Sequence, residues 1–128
     1  MWGSFCYDYR MNCIFCRIIN KEVPGTFVYE DDDVAAIIPK EQVSPGHTLV
    51  IPKNHYTDVF DIDDEVLRNI ASVSKKLSKD IITTTDYTSV NLLNASGKDA
   101  QQSVFHFHLH IVPRKENDGL DLWIKRNL

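Results

Sequence analysis

No apolar run in the 128 residues approaches the roughly 20 needed to cross a bilayer. The first residues lack the basic start and sustained apolar core of a secretory signal. A cytoplasmic location without a membrane partner is therefore expected. Positive charge is in short supply, with 14 Lys and Arg against 18 Asp and Glu, a formal net charge of −4 and a pI near 5.6. That balance argues against nucleic acid or an acidic membrane as the main partner. Internal repeats and low-complexity segments are missing too. Cysteine is limited to three residues, two of them spaced as Cys13-x-x-Cys16. In a cytosolic protein that spacing suggests metal binding or redox chemistry rather than a structural disulfide. The remainder is ordinary for a soluble globular chain, at 43% hydrophobic and 25% charged, and its length fits one domain around a single core. Residues 1–10 fit poorly with the rest of the chain, and Met11 reads as a natural start. The leader 1–10 is expected to be disordered and foreign to a single domain spanning 11–128.

What the chain does have is histidine in a row. In the stretch 102–114, His106, His108 and His110 alternate with Phe105, Phe107, Leu109 and Ile111. Period-two alternation predicts a β-strand with the apolar residues on one face and the histidines on the other, about 7 Å apart. Histidine is a poor filler for a solvent face, and it can attack, bind metal or exchange protons near neutral pH.

The rest of the chain supplies a frame. Ile14, Phe15, Ile18 and Ile19 recur at helical spacing, predicting a short helix that ends before Pro24. Strands are expected over 26–29 and 34–38, the second stopped by Pro39, with a solvated acidic turn between them. Pro45-Gly46 marks a turn, His47 sits at its junction with a strand over 48–51, and 87–93 reads as another strand. Val66, Leu67, Ile70, Val73, Leu77 and Ile81 describe one amphipathic helix of about five turns, capped by Asp61 or Asp63 and closed by Thr83–Thr85. The polar loop 94–101 is rich in small residues, and its backbone N–H groups could approach a phosphate. Because the strands are separated by turns, the chain is expected to form an α+β domain: an antiparallel sheet of about five strands with one long and one short helix on one face.

The Cys pair leaves several readings open. A thioredoxin-like motif needs a βαβ context that is missing; two small buried thiols are the plain alternative. A structural zinc needs two more ligands, and only histidines have suitable chemistry.

The Gln102-Ser103-Val104 lead-in, the His-x-His-x-His row, the opening Cys13-Ile14-Phe15-Cys16 and the Pro45-Gly46-His47 turn together resemble the histidine triad superfamily of nucleotide hydrolases and transferases. The resemblance covers Cys13 to about Arg114. It implies a structural zinc on Cys13, Cys16, His55 and His106, and a homodimer with sheets joined side by side. It implies that His108 attacks the α-phosphorus of a purine nucleotide or nucleotide conjugate, with no metal required for that step. His110 and His47 would contact the phosphate, Ser103 would sit near the leaving group, and Gln102, Asn94 and loop amides would help position the substrate. Neutral imidazole is a good nucleophile toward phosphorus, and a phosphoramidate intermediate splits one hard displacement into two easier ones. Ser103 and its lead-in favour a nucleoside phosphoramidase, whereas Val112-Pro113-Arg114-Lys115 pulls toward a dinucleoside polyphosphate hydrolase. A metal hydrolase with zinc on the His row, and a nucleotide-binding regulatory protein with weak catalysis, are the readings from other classes. One departure stands out: where the superfamily carries a ribose-binding acidic residue, this chain has Pro39, followed by Lys40 and Glu41.

Overall fold

The structure is a computed structural model and describes residues 12–125. The leader 1–10 lies outside the described residues. Helix α1 spans Ile14–Ile19 and is capped by Cys13, whose Sγ accepts the Cys16 amide hydrogen at 3.4 Å. It is followed by β1 (Thr26–Glu30), β2 (Val34–Ile38), β3 (Thr48–Pro52), helix α2 (Asp64–Thr84), β4 (Ser89–Leu93) and β5 (Leu109–Arg114). The five strands form one antiparallel sheet in the order β1-β2-β3-β5-β4. Strand β5 is thus internal, and the segment that feeds it is held between two neighbours.

Strands β2 and β3 are buried along nearly their whole length, which means that both faces of the sheet are covered. Val34, Ala36 and Val50 point to the face where α2 lays Ile70 and Val73, together with Phe107 and Ile111. Ala35, Ile37, Leu49 and Ile51 point to the opposite face, against Phe15 and Ile19 of α1. The helices therefore lie on opposite faces and not on one. The reason is that α1, although only 6 residues long, buries two large side chains, each worth about 1.5–3 kcal/mol.

The choice between the two caps of α2 is settled by partners. Asp63 accepts the amide hydrogens of Glu65 and Val66 at 3.0 and 3.2 Å. Asp61 instead accepts those of Thr57 and Asp58 and folds the preceding loop.

The expected strand over 102–114 is shorter in fact. Pairing starts at Leu109, opposite Val50, and His110 faces Leu49 on one side and Leu93 on the other. Upstream the ladder cannot continue: Pro52 has no N–H to donate, and its carbonyl is taken by the His106 ring. Side-chain alternation nevertheless persists through the unpaired segment, since Phe107 joins the α2 face and His106 and His108 meet Phe15 on the other. Phe105, expected to be buried, is 51% exposed.

Candidate functional site

Two histidine-containing clusters lie side by side, joined where Phe15 of α1 packs against both His106 and His108. In the first, Cys13, Cys16, His55 and His106 place one donor atom each within 4.8 Å of one another. His106 is fully buried, and its Nε2–H donates to the Pro52 carbonyl at 2.8 Å. Its Nδ1 is therefore bare. That lone pair faces Cys13 Sγ and Cys16 Sγ, each at 3.4 Å, and His55 Nδ1 at 3.2 Å. Cys16 Sγ is 3.2 Å from His55 Nδ1. A tetrahedral zinc with sulfur and nitrogen ligands spaces its donors roughly 3.4–3.8 Å apart; the donor set matches such an ion in chemistry, and its donors converge to within 4.8 Å of one another. Burial pushes the Cys13 thiol up and the His106 imidazole down to about 3. The imidazole is thus ready to ligate, whereas thiolate ligation needs a cation to displace the proton. Cys16 is disulfide-bonded in this structure, and ligation there requires its reduced form.

The second cluster contains His47, His108 and His110. The turn before β3 is bolted in place: Ser44 Oγ donates to the Pro113 carbonyl at 2.9 Å, and the Gly46 amide donates to Gln42 Oε1 at 2.9 Å. Gly46 has φ 91°, a conformation that favours glycine. His47 Nδ1 accepts the Val43 amide hydrogen at 3.2 Å, so its proton sits on Nε2. That Nε2–H donates to His110 Nδ1 at 2.9 Å, and the neutral His110 ring must then carry its proton on Nε2. His108 has the opposite tautomer. Its Nδ1–H donates to the His106 carbonyl at 2.9 Å, which leaves Nε2 bare. The His108 and His110 rings meet edge to face with centroids 5.0 Å apart, closer than the strand rise suggests. Burial lowers the pKa of His47, of His108 and, to about 4, of His110. All three are neutral at pH 7. The arrangement offers one bare imidazole nitrogen beside one imidazole N–H donor, which is what attack on a phosphorus with stabilisation of its oxygens requires.

The remaining site candidates lie around the loop and the C-terminal end of β5. Asn94 Nδ2–H donates to the His108 carbonyl at 3.0 Å, and its Oδ1 accepts from Ser96 Oγ at 2.8 Å. Buried Gln102 donates to the carbonyls of Thr57 and Val104 and accepts the Gly97 amide hydrogen. Both amide side chains thus hold the loop around the triad. The amides of Ala100, Gln101 and Gln102 also bond within the loop, so these N–H groups, with that of Gly97, turn inward and not toward a phosphate. Ser103 is exposed and lines a cavity of about 420 Å³ together with Asn12, Cys13, Ile14, His55, Val104 and Phe105. That cavity opens toward the Cys/His cluster. The Arg114 guanidinium is bound to Asp118, Asn91 and the Leu120 carbonyl, which ties it to the C-terminal loop and away from the histidines.

Sequence reasoning did not find the groups that set the tautomers: the carbonyls of Pro52 and His106 and the amide of Val43. Backbone groups carry no residue signature. Phe15, read only as core, also packs its ring edge against His106 and His108.

The family model described as the HIT domain matches residues 20–117. An HIT-like protein of Borreliella burgdorferi is 44% identical over 110 residues, 84% of this chain and 79% of that protein. The adenylylsulfatase HINT3 of Arabidopsis thaliana is 39% identical over 117 residues, 91% of this chain and 58% of that protein. Among solved structures, a Zn-bound histidine triad family protein from Mycobacterium smegmatis superposes with a TM-score of 0.84 at 34% identity, covering 91% of this chain and 85% of that one.

Proposed function

Because this chain belongs to the HIT domain family, we propose that it is a hydrolase and nucleotidyl transferase acting at the α-phosphate of purine nucleotides, with phosphoramidate-type conjugates as substrates. The observation that carries this reading is the pair of opposite tautomers, His108 with bare Nε2 and His110 with Nε2–H. His108 Nε2 forms a bond to the α-phosphorus, and the bond to the leaving group breaks with its electron pair. His110 Nε2–H donates to a non-bridging oxygen, where negative charge gathers. His47 contributes by holding His110 in the donating tautomer. Water then cleaves the nitrogen–phosphorus bond, releasing the nucleoside monophosphate and restoring the neutral ring. We assign Ser103 to the leaving group, and Asn94 and Gln102 to holding the loop beside the phosphate. The adenylylsulfatase relative supports a nucleotidyl group with a replaceable partner. The engagement of Arg114 with Asp118 favours the phosphoramidate reading over a dinucleoside polyphosphate, whose longer phosphate chain needs cations. Parallel turnover of an adenosine phosphoramidate and a dinucleoside polyphosphate tests the choice; faster cleavage of the second compound would reverse it.

The Cys/His cluster is assigned to one structural zinc per chain, supported by the donor geometry and by the Zn-bound relative. The ion would tie α1 to the segment before β5, and the phosphoryl chemistry does not pass through it. Metal analysis of untagged protein in reducing buffer is expected to give about one equivalent.

The chain is further assigned to a homodimer joined at the β4 edge. Leu92 of β4 and Ile82 of α2 are 47% and 44% exposed and line a shared groove, and an open apolar edge invites pairing. Sedimentation at micromolar concentration checks this, and Leu92→Lys should give monomer. Among the described residues no helix is long and apolar enough to cross a membrane, which is compatible with a cytoplasmic site of action.

A further inference from the structure

The two clusters share one peptide unit, the one linking His106 to Phe107. Its carbonyl accepts His108 Nδ1–H at 2.9 Å. Its amide donates to the Tyr56 carbonyl at 2.7 Å. One end of this peptide belongs to a residue of the Cys/His cluster, and the other is bonded to the residue that follows a cluster member. His106 carries the carbonyl on its own backbone, while its ring is fixed by Pro52 and by the donor atoms around Nδ1. Tyr56 directly follows His55, whose Nδ1 lies in the same cluster. Rotation of the peptide plane would lose both hydrogen bonds, and either cluster histidine leaving its place would release one end. Around this unit there is no strand ladder to hold it, since β5 pairing begins only at Leu109.

We infer that the metal centre positions the nucleophile: His55 and His106, when they ligate an ion, clamp the 106–107 peptide from both ends and so keep His108 in the Nδ1–H tautomer with Nε2 bare. His106 is then a positioning residue as well as a ligand. The inference rests on the reading of His108 as the nucleophile for its consequence, but not for its test.

The test uses ¹⁵N-labelled full-length protein, reduced and without nucleotide. Ring-nitrogen spectra report the His108 tautomer, and amide exchange reports the Phe107 hydrogen bond. With zinc bound, His108 should show one tautomer, protonated at Nδ1, and the Phe107 amide should be protected. After chelation His108 should become a mixture, and Phe107 exchange should accelerate about tenfold relative to Ile111 and Val112, which remain in the sheet. A single Nδ1–H tautomer and unchanged Phe107 protection in folded, chelated protein would overturn the inference, as would mixed tautomers in the loaded protein. If chelation unfolds the chain, exchange of zinc for cadmium provides the second arm. Its longer bonds should alter Phe107 exchange and the His108 tautomer ratio, and no change in either overturns the clamp. Because no substrate is present, these outcomes are independent of whether His108 attacks phosphorus. A failure of that reading would show only as a missing nucleotide adduct.

Discussion

His106 and His108 are two residues apart, both buried, and both hold a backbone carbonyl, yet they carry their protons on opposite ring nitrogens. His106 gives Nε2–H to Pro52 and turns bare Nδ1 toward two sulfurs and a nitrogen. His108 gives Nδ1–H to His106 and keeps Nε2 bare beside His110. One ring is equipped for a cation and the other for an electrophilic phosphorus. The difference does not come from residue type or from burial, which the two share. It comes from which carbonyl lies within reach, and that is decided by where β3 ends and β5 begins. For an imidazole, the neighbour that takes the proton decides the chemistry left to the other nitrogen.

The sharpest way to break this comparison is to remove one ring. His108→Ala should lower turnover by about 10⁴-fold or more, because the bond-forming atom is lost. Melting temperature and nucleotide binding should stay near wild type, since His108 ligates nothing in the Cys/His cluster. His106→Ala should instead lower the melting temperature strongly and release the ion, because a structural site's binding energy is folding energy. Thermal melts with metal analysis separate the two variants, and equal melting temperatures would dissolve the distinction between the clusters.

His110→Ala should cost less, about 10²–10³-fold in kcat, with nucleotide affinity largely kept. Acid gives a smaller effect with a definite sign. Burial holds His110 near 4 in the folded chain, below its ordinary value of 6.5. Above 6.5 both folded and unfolded forms are neutral, and stability is complete. As pH falls from 6.5 toward 4 the unfolded form takes the proton first, so stability drops. His110→Asn should reduce that slope in urea melts between pH 7 and 5, leaving the part that comes from His47, His106 and His108. The smallest effect concerns Pro39, at the end of β2. With no carboxylate at that position, ribose and deoxyribose nucleotides should bind within about tenfold, roughly 1.4 kcal/mol. A larger preference in calorimetry would point to Glu41.

Much of this was legible in the sequence. The period-two row placed the histidines on one face, the i, i+3, i+4 pattern located α2, and the Pro-Gly turn before His47 led to β3. The four residues Cys13, Cys16, His55 and His106, named from the resemblance, converge in space. Other features were not readable. The strand length was overestimated because ladder pairing depends on neighbours, and Pro52 withholds its N–H. The placement of α1 on the second sheet face was missed, since β2 reads as a plain apolar run whether one or both of its faces are covered. The direction of His47 toward His110, and not outward, depends on the Val43 amide, which no side-chain pattern announces. Asn94 and Gln102 were expected to help position a substrate, but Asn94 bonds to the His108 carbonyl and to Ser96, and Gln102 bonds to the backbone of Gly97, Thr57 and Val104.

The most direct test of His108 as the nucleophile is rapid quench into base, where phosphohistidine survives, with an adenosine phosphoramidate labelled at the α-phosphorus. The account predicts a transient adduct on the wild-type chain that peptide mapping assigns to His108, and none on His108→Ala. Turnover with no adduct at any time, together with complete loss of activity on chelation while the chain stays folded, would contradict it and support direct attack by metal-activated water.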